Sequence, residues 1–280
     1  AETGVCHTTF TVDETQKDKR VFLCIDAVAQ MSRIFLNGKF ICDWDEMYLP
    51  LRVEVTDSLL FGCENTIDVV CTGFETVQIP SGAQRTTGLI GSWYGRLARG
   101  IWGDVYLDFV PQVFISDVTV RTWVRNRTLE TVITLDSRCD CLNDVKIKAE
   151  VIDDKSTVLV LQDGGSVSNN SNPRYTLSAK WDNPIVWDID NPFLYTLCVT
   201  VSNENGIIHS KNLRFGFREF WNEGTHFILN GKRINLRGDS WHFNGAIQTT
   251  REYVVNWFKM CKESGVNYVR LHAEPYPEIY

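Results

Sequence analysis

Two short stretches late in the sequence gather the side chains best suited to chemistry: Asp239-Ser240-Trp241-His242 and Arg270-Leu271-His272-Ala273-Glu274. Each stands at the end of an apolar, strand-like run, and a strand-helix-strand unit brings the same ends of its two parallel strands side by side. Histidine and arginine there would offer neutral and cationic donors. Such donors hold hydroxyl groups, and a guanidinium beside a carboxylate keeps it ionised. Each residue has a structural reading too. A strand-end histidine is often a hydrogen-bonded structural group, Arg270 suits a core ion pair, and Trp241 can pack against a rim as well as stack on a sugar ring. Glu274 and Glu278, four residues apart, read as solvated and not as a catalytic pair. No C-x-x-C or His-x-x-x-His spacing occurs, and Cys139 and Cys141 stand isolated, so no metal ligand set and no cofactor is expected.

The elements that must position these residues change character along the chain. Arg33 to Ile41 carries Asn37-Gly38 between apolar-rich runs, a hairpin signal because both residues tolerate positive φ. Strands fit Arg20 to Ile25, Leu51 to Val55 and Thr66 to Thr72. From Pro111 to about Arg218 period-two alternation recurs, at Val118, Val120, Thr122 and Val124, at Leu129 to Leu135, at Val145 to Val151 and at Tyr195 to Val201, which is a β-sandwich pattern. Asp163 to Pro173, rich in Gly, Ser and Asn, reads as a long exposed loop. Then Phe227 to Arg237 resembles a second Asn-Gly hairpin whose second arm becomes an apolar strand. A helix follows. Thr249 with Glu252 forms a capping box, Val254, Trp257, Phe258 and Cys261 share one face, and Gly265 suits the position after the C-cap. Val266 to Leu271 supplies the second, parallel strand.

Composition bounds the function. The 280 residues suffice for about two domains. With 44% hydrophobic and 22% charged residues the chain is neither disordered nor fibrous. Its net charge of −7, without a basic tract, argues against nucleic acid. The longest apolar run, Val21 to Ile25, is far short of a membrane-spanning helix. The odd number of cysteines, 9, scattered through apolar segments, suggests buried thiols and no disulfide frame. Sequons at Asn126 and Asn169 carry little weight, no signal peptide is visible, and the compartment stays open.

Several stretches carry a resemblance in a fixed order: Ile34-Phe35-Leu36-Asn37-Gly38-Lys39, Gly62-Cys63-Glu64-Asn65-Thr66-Ile67-Asp68-Val69, Gly100-Ile101-Trp102-Gly103-Asp104-Val105-Tyr106-Leu107, Trp187 to Tyr195 with Asn191-Pro192-Phe193-Leu194-Tyr195, and Phe215-Gly216-Phe217-Arg218 followed by Leu229-Asn230-Gly231-Lys232 and Leu236-Arg237-Gly238. They resemble the front of glycoside hydrolase family 2, the group of β-galactosidases, β-glucuronidases and β-mannosidases. The resemblance implies a mainly β chain: a sugar-binding jelly-roll-like β-sandwich over residues 1–110, an immunoglobulin-like β-sandwich over 111–218, and over 219–280 the first βαβ unit of a truncated (β/α)8 barrel. It implies a retaining glycoside hydrolase acting on O-glycosidic bonds, β-galactosidase-like and exo-acting, with carbohydrate as its partner and homo-oligomerisation left open. The family's two catalytic glutamates belong to later barrel strands, so they are expected downstream and the 280-residue chain alone should be inactive. Substrate-binding positions implied are His242, Arg270, Trp241, Asp239 and His272. His242 matches the histidine of the family's LRG-x-x-x-H motif and Arg270 its nucleophile-supporting arginine, whereas His272 is shifted by one position. A non-catalytic carbohydrate-binding β-sandwich protein is the alternative.

Overall fold

The computed structural model describes residues 3–29, 31–46, 49–72, 76–78, 84–86, 100–138, 145–167, 173–241, 248 and 250–271. The chain is mainly β and divides into two compact units, one from Ala1–Phe109 with Arg237–Tyr280, the other Val110–Leu236.

In the first unit a sheet in the order Thr3–Thr11, Glu64–Thr72, Met31–Leu36, Lys39–Trp44 accompanies a sheet in the order Val105–Val110, Arg20–Ile25, Leu51–Glu54. Alternate residues of Glu64–Thr72 are buried, as one covered sheet face demands. Ile67 and Val69 join Ile34, Leu36, Val21, Leu23 and Ile25 in one core. Arg20–Ile25 is buried on both faces, and Arg20 is accommodated by Glu54, whose carboxylate accepts from Nε at 3.1 Å and Nη2 at 2.8 Å. The thiol expectation holds for Cys24 and Cys71, whereas Cys6, on the exposed edge strand Thr3–Thr11, and Cys63, in the bend before Glu64–Thr72, are exposed. Cys139 and Cys141 lie outside the described residues.

In the second unit seven strands form the order Val113–Trp123, Thr128–Ser137, Arg174–Lys180, Thr157–Val167, Lys146–Ile152, Tyr195–Asn203, Gly206–Phe215. Their inward residues, among them Leu129, Ile133, Leu135, Val151, Leu197 and Val199, make a single core. Trp181 closes it against Tyr195 and Phe217, with ring centroids 4.6 and 5.4 Å away. The segment 163–167 corrects the first part of the loop expectation, whose residues 168–172 lie outside the described residues. It continues the strand to Val167, with Ser166 opposite Tyr175 and an irregularity after Asp163, because backbone pairing to Arg174–Lys180 does not require apolar side chains. A three-stranded antiparallel sheet, Phe220–Glu223, His226–Leu229 and Lys232–Ile234, completes this unit.

The last elements are a parallel pair, Gly238–Trp241 and Tyr268–Leu271, and the one α-helix among the described residues, Arg251–Glu263. Two expectations need correcting. The second hairpin arm ends at Ile234 and the parallel strand starts only at Gly238, so Asp239, Ser240 and Trp241 lie within that strand and not after it. The helix is capped by Thr250, whose hydroxyl accepts from Tyr253 N. That leaves Glu252 in the first turn beside the dipole instead of in a box with Thr249. Gly265 takes φ +75°, and Val266 N reaching Cys261 O closes the helix end as expected.

Candidate functional site at the parallel strand pair

The pair is short, and specific contacts fix its register. Arg237 N donates to Asn267 Oδ1 at 2.8 Å, Asn267 N donates back to Arg237 O at 2.9 Å, and Arg237 Nε reaches Gly265 O at 3.1 Å. Immediately after comes Gly238, opposite Tyr268. A Cβ at Gly238 would run into the backbone carbonyl of Tyr268, so only glycine permits the strands to lie this close.

From there the side chains alternate between two faces. Trp241 is 3% exposed, and its ring lies 3.6 Å from the centroid of Trp257 and 5.7 and 6.1 Å from Phe258 and Tyr253. The helix covers that face. Trp241 is thus packing surface, which corrects its placement as a ring offered to a sugar: the helix's own aromatic residues occupy it. Asp239 shares its parity and remains exposed, its Oδ1 accepting from Ser240 N at 2.7 Å. Ser240 and Arg270 have the opposite parity. They are direct partners in the register, and Arg270 Nη1 donates to Ser240 Oγ at 3.1 Å.

The arrangement brings together Arg270 and Ser240, a cation and a hydroxyl able to hold an oxyanion or sugar hydroxyl on the face away from the helix. His242, His272, Glu274 and Glu278 lie outside the described residues. Sequence reasoning missed the Asn267 to Arg237 clamp, for which an asparagine between apolar residues gives no signal, and Gln248, 6% exposed and donating to the Tyr253 hydroxyl at 3.2 Å. Thiol chemistry has no support here, since burial pushes the Cys261 thiol up and keeps it protonated. Among the described residues no group of three or more His, Cys, Asp or Glu gathers as metal ligands would.

Residues 113–218 match the family model described as Glycosyl hydrolases family 2, and residues 3–80 the one described as Glycosyl hydrolase 2 galactose-binding domain-like. A β-galactosidase of Halalkalibacterium halodurans is 28% identical over 278 residues, covering 95% of this chain and 25% of the relative. One of Thermoanaerobacter pseudethanolicus is 27% identical over 276 residues, covering 95% and 36%. The chain therefore spans about a quarter to a third of the length of these curated relatives. Among solved structures, a β-glucuronidase of Bacteroides uniformis superposes with a TM-score of 0.80 at 22% identity, over 99% of this chain and 34% of that one, a likeness of fold.

Proposed function

Because the chain belongs to glycoside hydrolase family 2, matching its N-terminal region, we propose that it forms the front part of a retaining, β-galactosidase-like exo-glycosidase. In this reading residues 1–110 are the jelly-roll-like sandwich, 111–218 the immunoglobulin-like sandwich, and 219–280 lead into the (β/α)8 barrel. The observation that carries the reading is the parallel pair with Arg270 beside Ser240 on the face opposite the helix. In such a barrel helices cover the outside and the interior faces converge on the active site at the carboxyl ends of the strands.

The proposed chemistry is displacement through an oxocarbenium-like transition state between two carboxyl groups about 5 Å apart. Both carboxyl groups come from outside these 280 residues. Arg270 keeps the nucleophile ionised by lowering the free energy of its charged form, and Ser240 holds the guanidinium in plane. His242, with Asp239 and His272 nearby in sequence, binds hydroxyls of the sugar. Trp241 is the buttress that fixes the first strand on the helix. The longer protein containing this chain should hydrolyse nitrophenyl β-galactoside with retention of configuration at the anomeric carbon, and the 280-residue chain alone should not. Absence of hydrolysis across a panel of nitrophenyl β-glycosides, or inversion, would overturn the proposal.

The alternative, a carbohydrate-binding protein without catalysis, draws on one observation in the first unit. A cavity of about 410 Å³ is lined by Arg33, Asp43, Trp44, Asp45 and Thr72, residue types that hold neutral sugars. Saturable binding of galactose there by the longer protein, with no turnover of any glycoside, would favour it.

A further inference from the structure

We infer that a second cavity, in the unit Val110–Leu236, is a binding site for a carboxylate-bearing sugar. The cavity holds about 630 Å³, within the range of small-molecule sites, and Trp187, Leu194, Arg214, Gly216, Arg218 and Phe220 are among its lining residues. Alternation builds it. Phe215 and Phe217 turn into the core at 8% and 1% exposure, so Arg214, Gly216 and Arg218 turn outward. A Cβ at Gly216 would stand 2.7 to 2.9 Å from Trp187 side-chain atoms, so its absence lets the indole lie on the backbone. Trp187 is fixed by its own main chain: its N donates to Phe217 O at 3.0 Å, and its O accepts from Asn230 Nδ2 at 2.8 Å.

Above this floor the Arg218 guanidinium lies 4.7 Å from the Trp187 ring centroid. Stacking engages the face of a guanidinium and leaves its in-plane N–H groups to donate outward. The Arg218 backbone is held as well, its O accepting from Thr122 Oγ1 at 2.5 Å. Neighbouring arginines are neutralised, Arg121 by Glu130 and Arg125 by Glu219. Arg214 and Arg218 have no carboxylate partner among the described residues. Two uncompensated guanidiniums beside aromatic and aliphatic surface suit one ligand chemistry: a carboxylate for the paired donors and a ring whose C–H face covers Phe220 and Leu194. The anionic half of this inference rests on the arginines alone, and the sugar half rests on the glycosidase reading.

Calorimetric titration of the 280-residue chain with methyl β-glucuronide, methyl β-glucoside and acetate tests it. Saturable binding of the glucuronide, at least about tenfold tighter than either control, is expected, because the carboxylate and the ring each contribute. Arg214→Ala, and Arg218→Gln, which keeps a planar group on Trp187, should each weaken it about tenfold, with an unchanged thermal midpoint for Arg214→Ala. No saturable binding, equal binding of acetate or of the neutral glucoside, or variants that bind like the parent would each overturn the inference. Failure of hydrolysis in the longer protein would leave this binding intact, and loss of this binding would leave hydrolysis intact, so the two proposals fail separately.

Discussion

Two Asn-Gly hairpins whose asparagine takes positive φ, one in each unit, are pinned by the same device and differ in what stands behind it. Asn37 and Asn230 both adopt positive φ, 53° and 51°. Asn37 N donates to Thr66 O at 2.8 Å and its Oδ1 accepts from Thr66 N at 2.9 Å, while Nδ2 reaches Ser58 O at 2.9 Å. Asn230 does the same with Glu219 N and O, both at 2.8 Å, and with Trp187 O. Behind Asn37 stands a neutral group: Asn65, 0% exposed, accepts from Asn37 Nδ2 and Leu60 N and donates to Leu60 O and Cys63 O. Behind Asn230 stands a charge, because Glu219 is 8% exposed and takes Arg125 Nε and Arg125 N at 2.8 and 3.0 Å. One latch is thus insensitive to pH and salt by construction, and the other is not. An asparagine in a hairpin motif can be a clamp for a distant strand as well as a turn residue.

The comparison breaks first at Asn65. Asn65→Ala would remove a fully buried side chain's four hydrogen bonds, with Leu60 N and O, Cys63 O and Asn37 Nδ2, with an expected loss of about 3 kcal/mol, read as the thermal midpoint of the 280-residue chain. A change within about 0.5 kcal/mol would remove the neutral backing from the account. Next, Asn37→Ala and Asn230→Ala should each cost about 2 kcal/mol, since alanine at positive φ adds strain to the lost bonds. Asn37→Gly and Asn230→Gly remove the strain and should cost about 1 kcal/mol. Equal losses for Gly and Ala would mean that the latch and not the backbone carries everything.

The smallest effect sharpens the difference between the latches. Burial works to raise the Glu219 carboxyl, and the bonds from Arg125 outweigh it, so the folded value lies below the ordinary 4.5. A depressed carboxyl stabilises fully above the unfolded value and loses that contribution as pH falls through the folded value. Glu219→Gln should therefore cost roughly 0.5 to 1 kcal/mol at neutral pH, the gain being limited by the 57% exposure of Arg125, and the difference from the parent should shrink as acid takes the pH below the ordinary carboxyl value and through the lowered folded one. Asn65→Ala should show no such convergence, as denaturation curves at pH 3 and 7 would reveal.

Much of this was legible in the sequence because it rests on local rules. Alternation announced the strands of both units, Asn-Gly announced both turns, and Gly265 announced the helix end. What escaped depends on distant partners. No spacing rule links Asn37 to Asn65 or Asn230 to Glu219, although the motifs contain the three asparagines and Glu219 directly follows Phe215-Gly216-Phe217-Arg218. The strand at 163–167 was hidden because its ladder is backbone alone, and the helix start shifted by one residue because two adjacent threonines, Thr249 and Thr250, offer the same cap. At the candidate site the order of strand, helix and strand was readable, while the face each residue takes was not. Trp241 and Arg270 both stand near strand ends, and only the register, with Ser240 opposite Arg270, separates the helix side from the other.

That separation is tested most directly by kcat/KM, read with the thermal midpoint, for Arg270→Ala in the longer protein that contains this chain. The account predicts a fall in kcat/KM of roughly 100-fold with the midpoint unchanged, because an exposed guanidinium on the face away from the helix acts on charge and not on packing. Near-normal turnover in a destabilised protein would contradict it.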